Sequence, residues 1–226
     1  MVPMQPPLHC RRVAHELFRA QLRDLDAPGA LLRAAVAVSM HEMESVDPAE
    51  VEARIDDYAR RVRERVTTNL PQAYLAHLHG LLFDEEGFCG DEASYYEPQN
   101  SYVPVVLDRK RGLPIALTLV YKEIGERVGL RIQGVNAPGH FLAAVQANGH
   151  RLLVDPFGAG RVLTRDEAFA RIARVSGRAL PASDDLLRPA SPRQWLARMI
   201  QNLLHVFSTR DRDADVAAML ELRDLL

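Results

Sequence analysis

The chain has 226 residues, which is enough for one sizeable hydrophobic core. Its composition, 47% hydrophobic and 26% charged, is typical of an ordinary globular protein. The net charge of −2 provides no basic surface for nucleic acid or an anionic membrane, so we expect neither as a partner.

The cysteines and the first residues favour a cytoplasmic location. Cys10 and Cys89 are far apart in the sequence, which argues against a disulfide framework. The stretch from Met1 to Pro7 lacks both the basic and the apolar region of a signal peptide. We therefore expect a reduced, cytoplasmic protein.

The first half of the chain is predicted to be helical. Residues 1–8, which contain three prolines, are expected to form a flexible tail. Asp47-Pro48-Ala49-Glu50 indicates a helix start, with an acidic cap and proline in the first turn. Apolar residues then recur at helical spacing, as they do in the neighbouring segments. The predicted helices cover residues 9–24, 30–44, 48–66 and 71–83.

A loop containing Cys89 and a short helix then lead to the most apolar helix of the chain. Its start is marked by Pro114, at a position where the missing N–H does not matter, and its end by Gly129. The apolar run is too short, and too closely flanked by charges, to cross a membrane. The stretch therefore predicts a buried central helix over residues 113–128.

Strands are predicted after the central helix, at residues 130–135, 140–147 and 150–155. Asn148-Gly149 is the strongest short hairpin signal, and as a two-residue turn it pairs Ala147 with His150. His140 and Asp155 then share one sheet face as diagonal neighbours, within reach of a hydrogen bond. A carboxylate that orients an imidazole is typical of His-based catalytic triads.

Four motifs resemble the core of the transglutaminase-like superfamily. They are Gly112-Leu113-Pro114, Gly129-Leu130, Gly139-His140-Phe141 and Val154-Asp155-Pro156. More closely, the stretches Tyr95-Tyr96-Glu97-Pro98-Gln99-Asn100-Ser101-Tyr102 and Arg111-Gly112-Leu113-Pro114-Ile115 resemble the bacterial SirB-type family. Glu97 and Gln99 depart mildly from that pattern, where we expect aspartate and arginine.

The resemblance implies an α+β fold. A helical N-terminal layer packs on a small papain- or transglutaminase-like core with antiparallel strands, and a helical hairpin follows. The implied SirB-type domain covers residues 9–176, with the helical layer at 9–110 and the core at 111–176. A linker at 177–191 then leads to a tetratricopeptide-like hairpin at 192–226.

The resemblance also shows what this chain lacks. Catalytic members of the superfamily place a cysteine at the third position of Gly-x-Cys, where the helix N-terminus activates the thiol. Counting back fifteen residues from Gly129 gives Pro114, which has no nucleophile. His140 and Asp155 would then be the remaining members of an incomplete triad.

Three functional hypotheses remain open at this point. The first is a non-catalytic interaction or regulatory module that binds a protein partner. The second is a cysteine hydrolase or acyltransferase that uses Cys89, His140 and Asp155, although a chance loop cysteine is the simpler interpretation of Cys89. The third is a cleft that binds a small molecule or peptide. No cofactor is expected and no metal site is predicted.

Overall fold

The computed structural model describes residues 6–147, 149–178 and 181–226. Within them the chain is mixed α and β, which confirms the α+β prediction. The helices are α1 Arg12–Gln21, α2 Ala30–Ser39, α3 Pro48–Arg63, α4 Pro71–His79, α5 Val103–Arg109, α6 Pro114–Arg127, α7 Arg165–Ser176, α8 Pro192–Ser208 and α9 Asp213–Arg223. The strands are β1 Cys89–Gly90, β2 Arg111–Gly112, β3 Arg131–Ala137, β4 His140–Ala147, β5 His150–Asp155 and β6 Arg161–Leu163.

The N-terminal helices form the predicted helical layer. α2 is buried on nearly every side, because its small and branched apolar residues leave no polar face. α3 begins as its sequence indicates: the Asp47 carboxylate accepts a hydrogen bond from the Ala49 N–H at 2.9 Å, and Pro48 opens the first turn. Its apolar stripe, from Val51 to Val62, faces the core, and its charged residues face solvent.

The central helix α6 lies in the middle of the molecule, as predicted. All of its first eight residues are buried, and it contacts α3, α5, β3 and β4. The helix begins at Pro114, where the absent N–H costs no helical hydrogen bond. The chain leaves the helix at Gly129, whose φ of 87° is left-handed and therefore suits glycine.

The main sheet is antiparallel, with the strand order β3-β4-β5-β6 among the described residues. Ala147 pairs with His150 and Ala143 with Val154, so the predicted hairpin register is confirmed. Asn148, half of the predicted turn, lies outside the described residues. β6 was not predicted, because a three-residue strand is too short for an alternating pattern to show.

The two faces of this sheet carry different helices. Phe141, Ala143 and Val145 of β4 belong to the large core that also contains α6 and α8. Leu142 and Ala144 alternate with them and form a second cluster with Ala168 and Ile172 of α7, among other residues. β4 is therefore buried on both faces, as its continuous apolar sequence allows.

The last two helices pack on the same core. Ser191 and Gln194 form a reciprocal capping box at the start of α8, and Trp195 is buried against the sheet. The preceding segment, interpreted above as a linker, is partly packed as well. Leu187 is buried, and the Ala190 N–H donates to the Gly134 carbonyl at 2.8 Å on the edge of β3. Residues 179 and 180 of that segment, and residues 1–5 of the predicted tail, lie outside the described residues.

A partly buried polar network joins α9 to the helical layer. Asp215 lies 2.8 Å from His41 Nε2 and accepts a hydrogen bond from Arg212 Nε at 2.7 Å. Arg212 also donates to Glu42 at 2.5 Å, and Glu42 in turn accepts from the Tyr102 hydroxyl. Burial alone raises the pKa of Asp215, but the hydrogen bonds from Arg212 and His41 outweigh it, so the pKa is lowered. The network therefore holds an ionised carboxylate.

Candidate functional site

His140 and Asp155 meet as predicted. His140 follows the tight turn at Pro138-Gly139, where the φ of 72° at Gly139 lets β3 reverse directly into β4. Asp155 ends β5. The His140 Nε2 atom lies 2.9 Å from Asp155 Oδ1, and both residues are only 3% exposed. An ionised carboxylate at this distance selects the tautomer with its proton on Nε2.

The register shows from which sheet face this pair projects. His140 is directly opposite Ala137, and Ala137 lies in the cluster that packs on α7. Cross-strand partners project to the same face, so the His140 side chain leaves the sheet on the α7 side. Phe141, next in sequence, projects to the α6 side. The pair and the body of the central helix therefore occupy opposite faces of the sheet.

Arg171 of α7 adds a third polar side chain to the pair. Its Nε atom lies 3.3 Å from Asp155 Oδ2, the carboxylate oxygen that does not bind His140. The Arg171 side chain is 18% exposed, so water screens this contact only partly. The Arg171 Nε–H is buried and, among the described residues, it has no acceptor in hydrogen-bonding geometry. Asp155 is thus shared between an imidazole and a guanidinium.

Phe157 also packs against the imidazole ring of His140. Its ring is edge-to-face with His140, at a centroid distance of 6.0 Å. The same ring rests on the backbone of Gly90 in β1, where a Cβ atom would overlap with it. The Gly90 N–H donates to the Phe157 carbonyl at 2.9 Å. Tyr95 packs on the Phe157 ring, also at 6.0 Å, and burial raises the pKa of its hydroxyl, which stays protonated.

The start of α6 carries no nucleophilic side chain. Pro114 is the first helical residue and is buried, as is its neighbour Leu113, whose N–H donates to the Asn100 carbonyl at 2.8 Å. One turn further on, Thr118 is fully buried, and its hydroxyl points to the Phe141 carbonyl at 3.5 Å. Neither Pro114 nor Thr118 presents a reactive group to solvent.

Cys89 lies in the short strand β1, directly before Gly90. β1 runs parallel to β2, and Cys89 pairs with Arg111 there. Since successive side chains in a strand alternate, and the Gly90 Cβ position faces the Phe157 ring, the Cys89 side chain projects away from that ring. The thiol is partly exposed and reduced.

Arg171, Phe157 and Gly90 are the site residues that sequence reasoning missed. Arg171 had a usable signal, because it lies three residues after Ala168 and so falls on the apolar stripe of α7. A charged residue on a buried stripe indicates a buried partner. The contact of Phe157 with Gly90 had no local signal, since these residues are far apart in sequence.

The described part of the chain has neither a cluster of side chains suited to a metal ion nor a helix suited to spanning a membrane. Over residues 6–147, 149–178 and 181–226, histidine, cysteine and acidic side chains form no group of three or more that could hold a metal ion. In the same residues, no helix has the length and apolar character needed to cross a bilayer.

Comparisons with known proteins agree with the motifs. The sequence profile described as "Transglutaminase-like superfamily" matches residues 49–201, more than half of the chain. A UPF0162 protein of Xylella fastidiosa is 31% identical over 186 residues, which make up 80% of this chain and 66% of that protein. A UPF0162 protein of Pseudomonas aeruginosa is 31% identical over 183 residues, with the same coverage.

A eukaryotic relative is also similar. Human F-box only protein 21 is 30% identical over 164 residues, which are 69% of this chain but 25% of that protein. The chain spans just under two thirds of the length of the two bacterial relatives. No solved structure matches it.

Proposed function

Because the chain belongs to the transglutaminase-like superfamily, we propose that it is a non-catalytic member that serves as a cytoplasmic interaction or regulatory module. Within the superfamily we assign it to the SirB type and treat α8 and α9 as its tetratricopeptide-like end. The observation that carries the proposal is Pro114, which stands at the first position of the central helix, where catalytic relatives place cysteine.

The charges around His140 also support a non-catalytic role. In a working triad the carboxylate stabilises the imidazolium that forms when the histidine takes a proton. Here Arg171 lies against the same carboxylate and compensates its charge, so Asp155 offers less stabilisation to a protonated His140. An aspartate shared in this way is suited to holding β4, β5 and α7 together.

The position of Cys89 gives little support to the hydrolase alternative. A nucleophile must lie within hydrogen-bonding reach of its base, at about 2.6–3.2 Å. The Phe157 ring packs against His140 on one side and against Gly90 on the other, and the Cys89 side chain projects away from that ring. A thiolate attack assisted by His140 would require Phe157 to move.

The relatives support a modular role. The matched region makes up only a quarter of human F-box only protein 21, so in that protein it is one part of a longer chain. A domain that occurs both in shorter chains and as one part of a longer one is a self-contained unit, as an interaction module must be. We therefore expect the partner to be a protein.

Activity measurements with matched variants test the proposal. The purified chain is assayed against amide and thioester substrates, beside His140→Ala and Cys89→Ser. We expect background rates for all three proteins, because no nucleophile is available to His140. A thiol-dependent rate in the wild type that His140→Ala abolishes would contradict the proposal. If Cys89→Ser also abolished that rate, the nucleophile would be Cys89.

A second experiment tests the interaction directly. Tagged protein is expressed in the source cells and purified under mild conditions, and its complexes are separated by size. We expect one protein partner in a fixed stoichiometric ratio, retained by His140→Ala because the buried imidazole is not exposed to a partner. Recovery of the chain alone from cells in which it is abundant would count against a stable interaction module.

A further inference from the structure

A cavity of about 450 Å³ opens beside the buried pair, on the side of the sheet that α7 covers. Its apolar lining comes from Phe157, Leu163 and Ala170. The charged residues that line it are Glu92, Asp155, Arg161, Glu167, Arg171 and Arg174. The positive and negative charges are therefore equal in number, and one of each sign, Arg174 and Glu92, has no salt-bridge partner among the described residues.

Two of the three arginines already have acidic partners. Arg161 binds Glu167 at 2.6 Å, and Arg171 lies 3.3 Å from Asp155. Arg174 differs, because in the described chain it forms no salt bridge with any carboxylate. It follows Arg171 by three residues on α7, so the two guanidinium groups start from one helix face.

Arg171 itself is incompletely satisfied. Its buried Nε–H has no acceptor in hydrogen-bonding geometry among the described residues, although an acidic oxygen lies nearby. This atom is too buried for a ligand in the cavity to reach, and Asp155 compensates the Arg171 charge only in part. A carboxylate bound between Arg171 and Arg174 would accept hydrogen bonds from the terminal N–H groups of Arg171 and would pair the Arg174 charge.

We propose that this cavity binds the carboxylate group of a small molecule with a short apolar tail. The carboxylate would lie between Arg171 and Arg174, since guanidinium groups bind carboxylates through paired N–H donors. The tail would contact Phe157 and Leu163. A phosphate dianion fits less well, because the wall carries as many acidic groups as basic ones and Glu92 has no cation paired with it among the described residues. This site is separate from the position of the missing nucleophile.

The test is an NMR titration of the whole 226-residue chain with three probes. Benzoate carries the carboxylate and an apolar ring, benzamide is its neutral counterpart, and inorganic phosphate is the competing oxyanion. We expect benzoate to shift the amide signals of α7 and of residues 157–163 in a saturable way. We expect benzamide to give no saturable shift, and phosphate to bind more weakly than benzoate.

Variants decide whether the arginines are responsible. Arg174→Gln should weaken benzoate binding about threefold, since an exposed charge pair is weak. Arg171→Gln should weaken it about tenfold, since this side chain is more buried. Arg188→Gln is the matched control, because Arg188 is 77% exposed and does not line the cavity, and it should leave the affinity unchanged.

Three results would overturn the proposal. They are equal binding of benzamide and benzoate, tighter binding of phosphate than of benzoate, and unchanged benzoate affinity in Arg174→Gln. The last result can be interpreted even if Arg171→Gln does not fold, because Arg174 is exposed and outside the core. Each readout is a binding constant, so the outcome does not depend on whether the protein is catalytic.

Discussion

Asp155 holds His140 through one carboxylate oxygen and lies against Arg171 through the other, so a single buried side chain connects β4, β5 and α7. In a catalytic triad the aspartate carboxylate stabilises the charge that develops on histidine. Here a guanidinium lies against that carboxylate and compensates part of its charge. This contact gives the pair a structural function that needs no substrate.

The structural role of Asp155 predicts a loss of stability in Asp155→Asn. The amide cannot compensate the Arg171 charge, and it leaves a guanidinium in a largely buried place. We expect the free energy of unfolding to fall by about 2–3 kcal/mol. Urea denaturation measures this change. Asp24→Asn, in an exposed turn, is the control and should change stability by less than about 0.5 kcal/mol. Equal stability of the two variants would contradict the structural role.

The contact between Gly90 and Phe157 predicts a second destabilising change. In Gly90→Ala the new methyl group overlaps with the Phe157 ring, which is itself fixed by packing against His140 and Tyr95. We expect a loss of about 1–3 kcal/mol in the free energy of unfolding. Adding Phe157→Leu should recover part of the loss, because the smaller side chain leaves room for the methyl group.

Gly80→Ala serves as the control for this experiment. Gly80 has helical dihedral angles, and the nearest atom to an added Cβ is 3.9 Å away. Because alanine is the better helix former, this substitution should raise stability by up to about 1 kcal/mol. If Gly90→Ala behaved like Gly80→Ala, the Phe157 ring would not be packed against the β1 backbone.

The strand register was predictable, but the face of the sheet was not. Asn148-Gly149 fixes a two-residue turn, and from it follows that His140 and Asp155 share a face. The sequence predicts which face of a strand packs on a given helix only where polar and apolar residues alternate along the strand. Residues 141–145 of β4 are all apolar and buried, so β4 gave no such information. The structure was therefore needed to show that α6 and the His140–Asp155 pair lie on opposite faces of the sheet.

The helix starts could be predicted, because each start depends on residues that are adjacent in sequence. The contacts between distant segments could not be predicted. Pro48 and Pro114 each mark a helix start through their own side chain, and the structure confirms these starts. Arg171 and Gly90 have their roles because of residues brought near by the fold. One sequence does not reveal such pairs, unless a charge falls on an apolar stripe as it does at Arg171.

The orientation of Cys89 predicts that its reactivity is independent of the histidine. We expect Cys89 to be alkylated at the same rate in the wild type, His140→Ala and Asp155→Asn, because its side chain projects away from Phe157. Cys10 should react far more slowly, since burial raises the pKa of its thiol to about 12. Mass spectrometry after brief exposure to iodoacetamide distinguishes the two sites. Slower alkylation of Cys89 in His140→Ala would support the hydrolase alternative.

The network around Asp215 predicts how stability depends on pH. The pKa of this carboxyl is lower in the folded chain than in the unfolded chain, so the folded state binds fewer protons. Its stabilising contribution is therefore complete above the unfolded pKa, near 4, and is lost as the pH falls through the folded value.

Asp215→Asn should lower the free energy of unfolding at pH 7 by about 1–2 kcal/mol. Once the pH falls below the lowered pKa of the folded state, the wild-type carboxyl also becomes protonated, and the difference should narrow. Urea denaturation across this range tests the prediction, with Asp211→Asn as the control, since Asp211 is exposed and has a left-handed φ of 54° that asparagine tolerates. A difference between the wild type and Asp215→Asn that stayed constant from pH 7 to pH 2 would show that the carboxylate charge does not hold α9 against the helical layer.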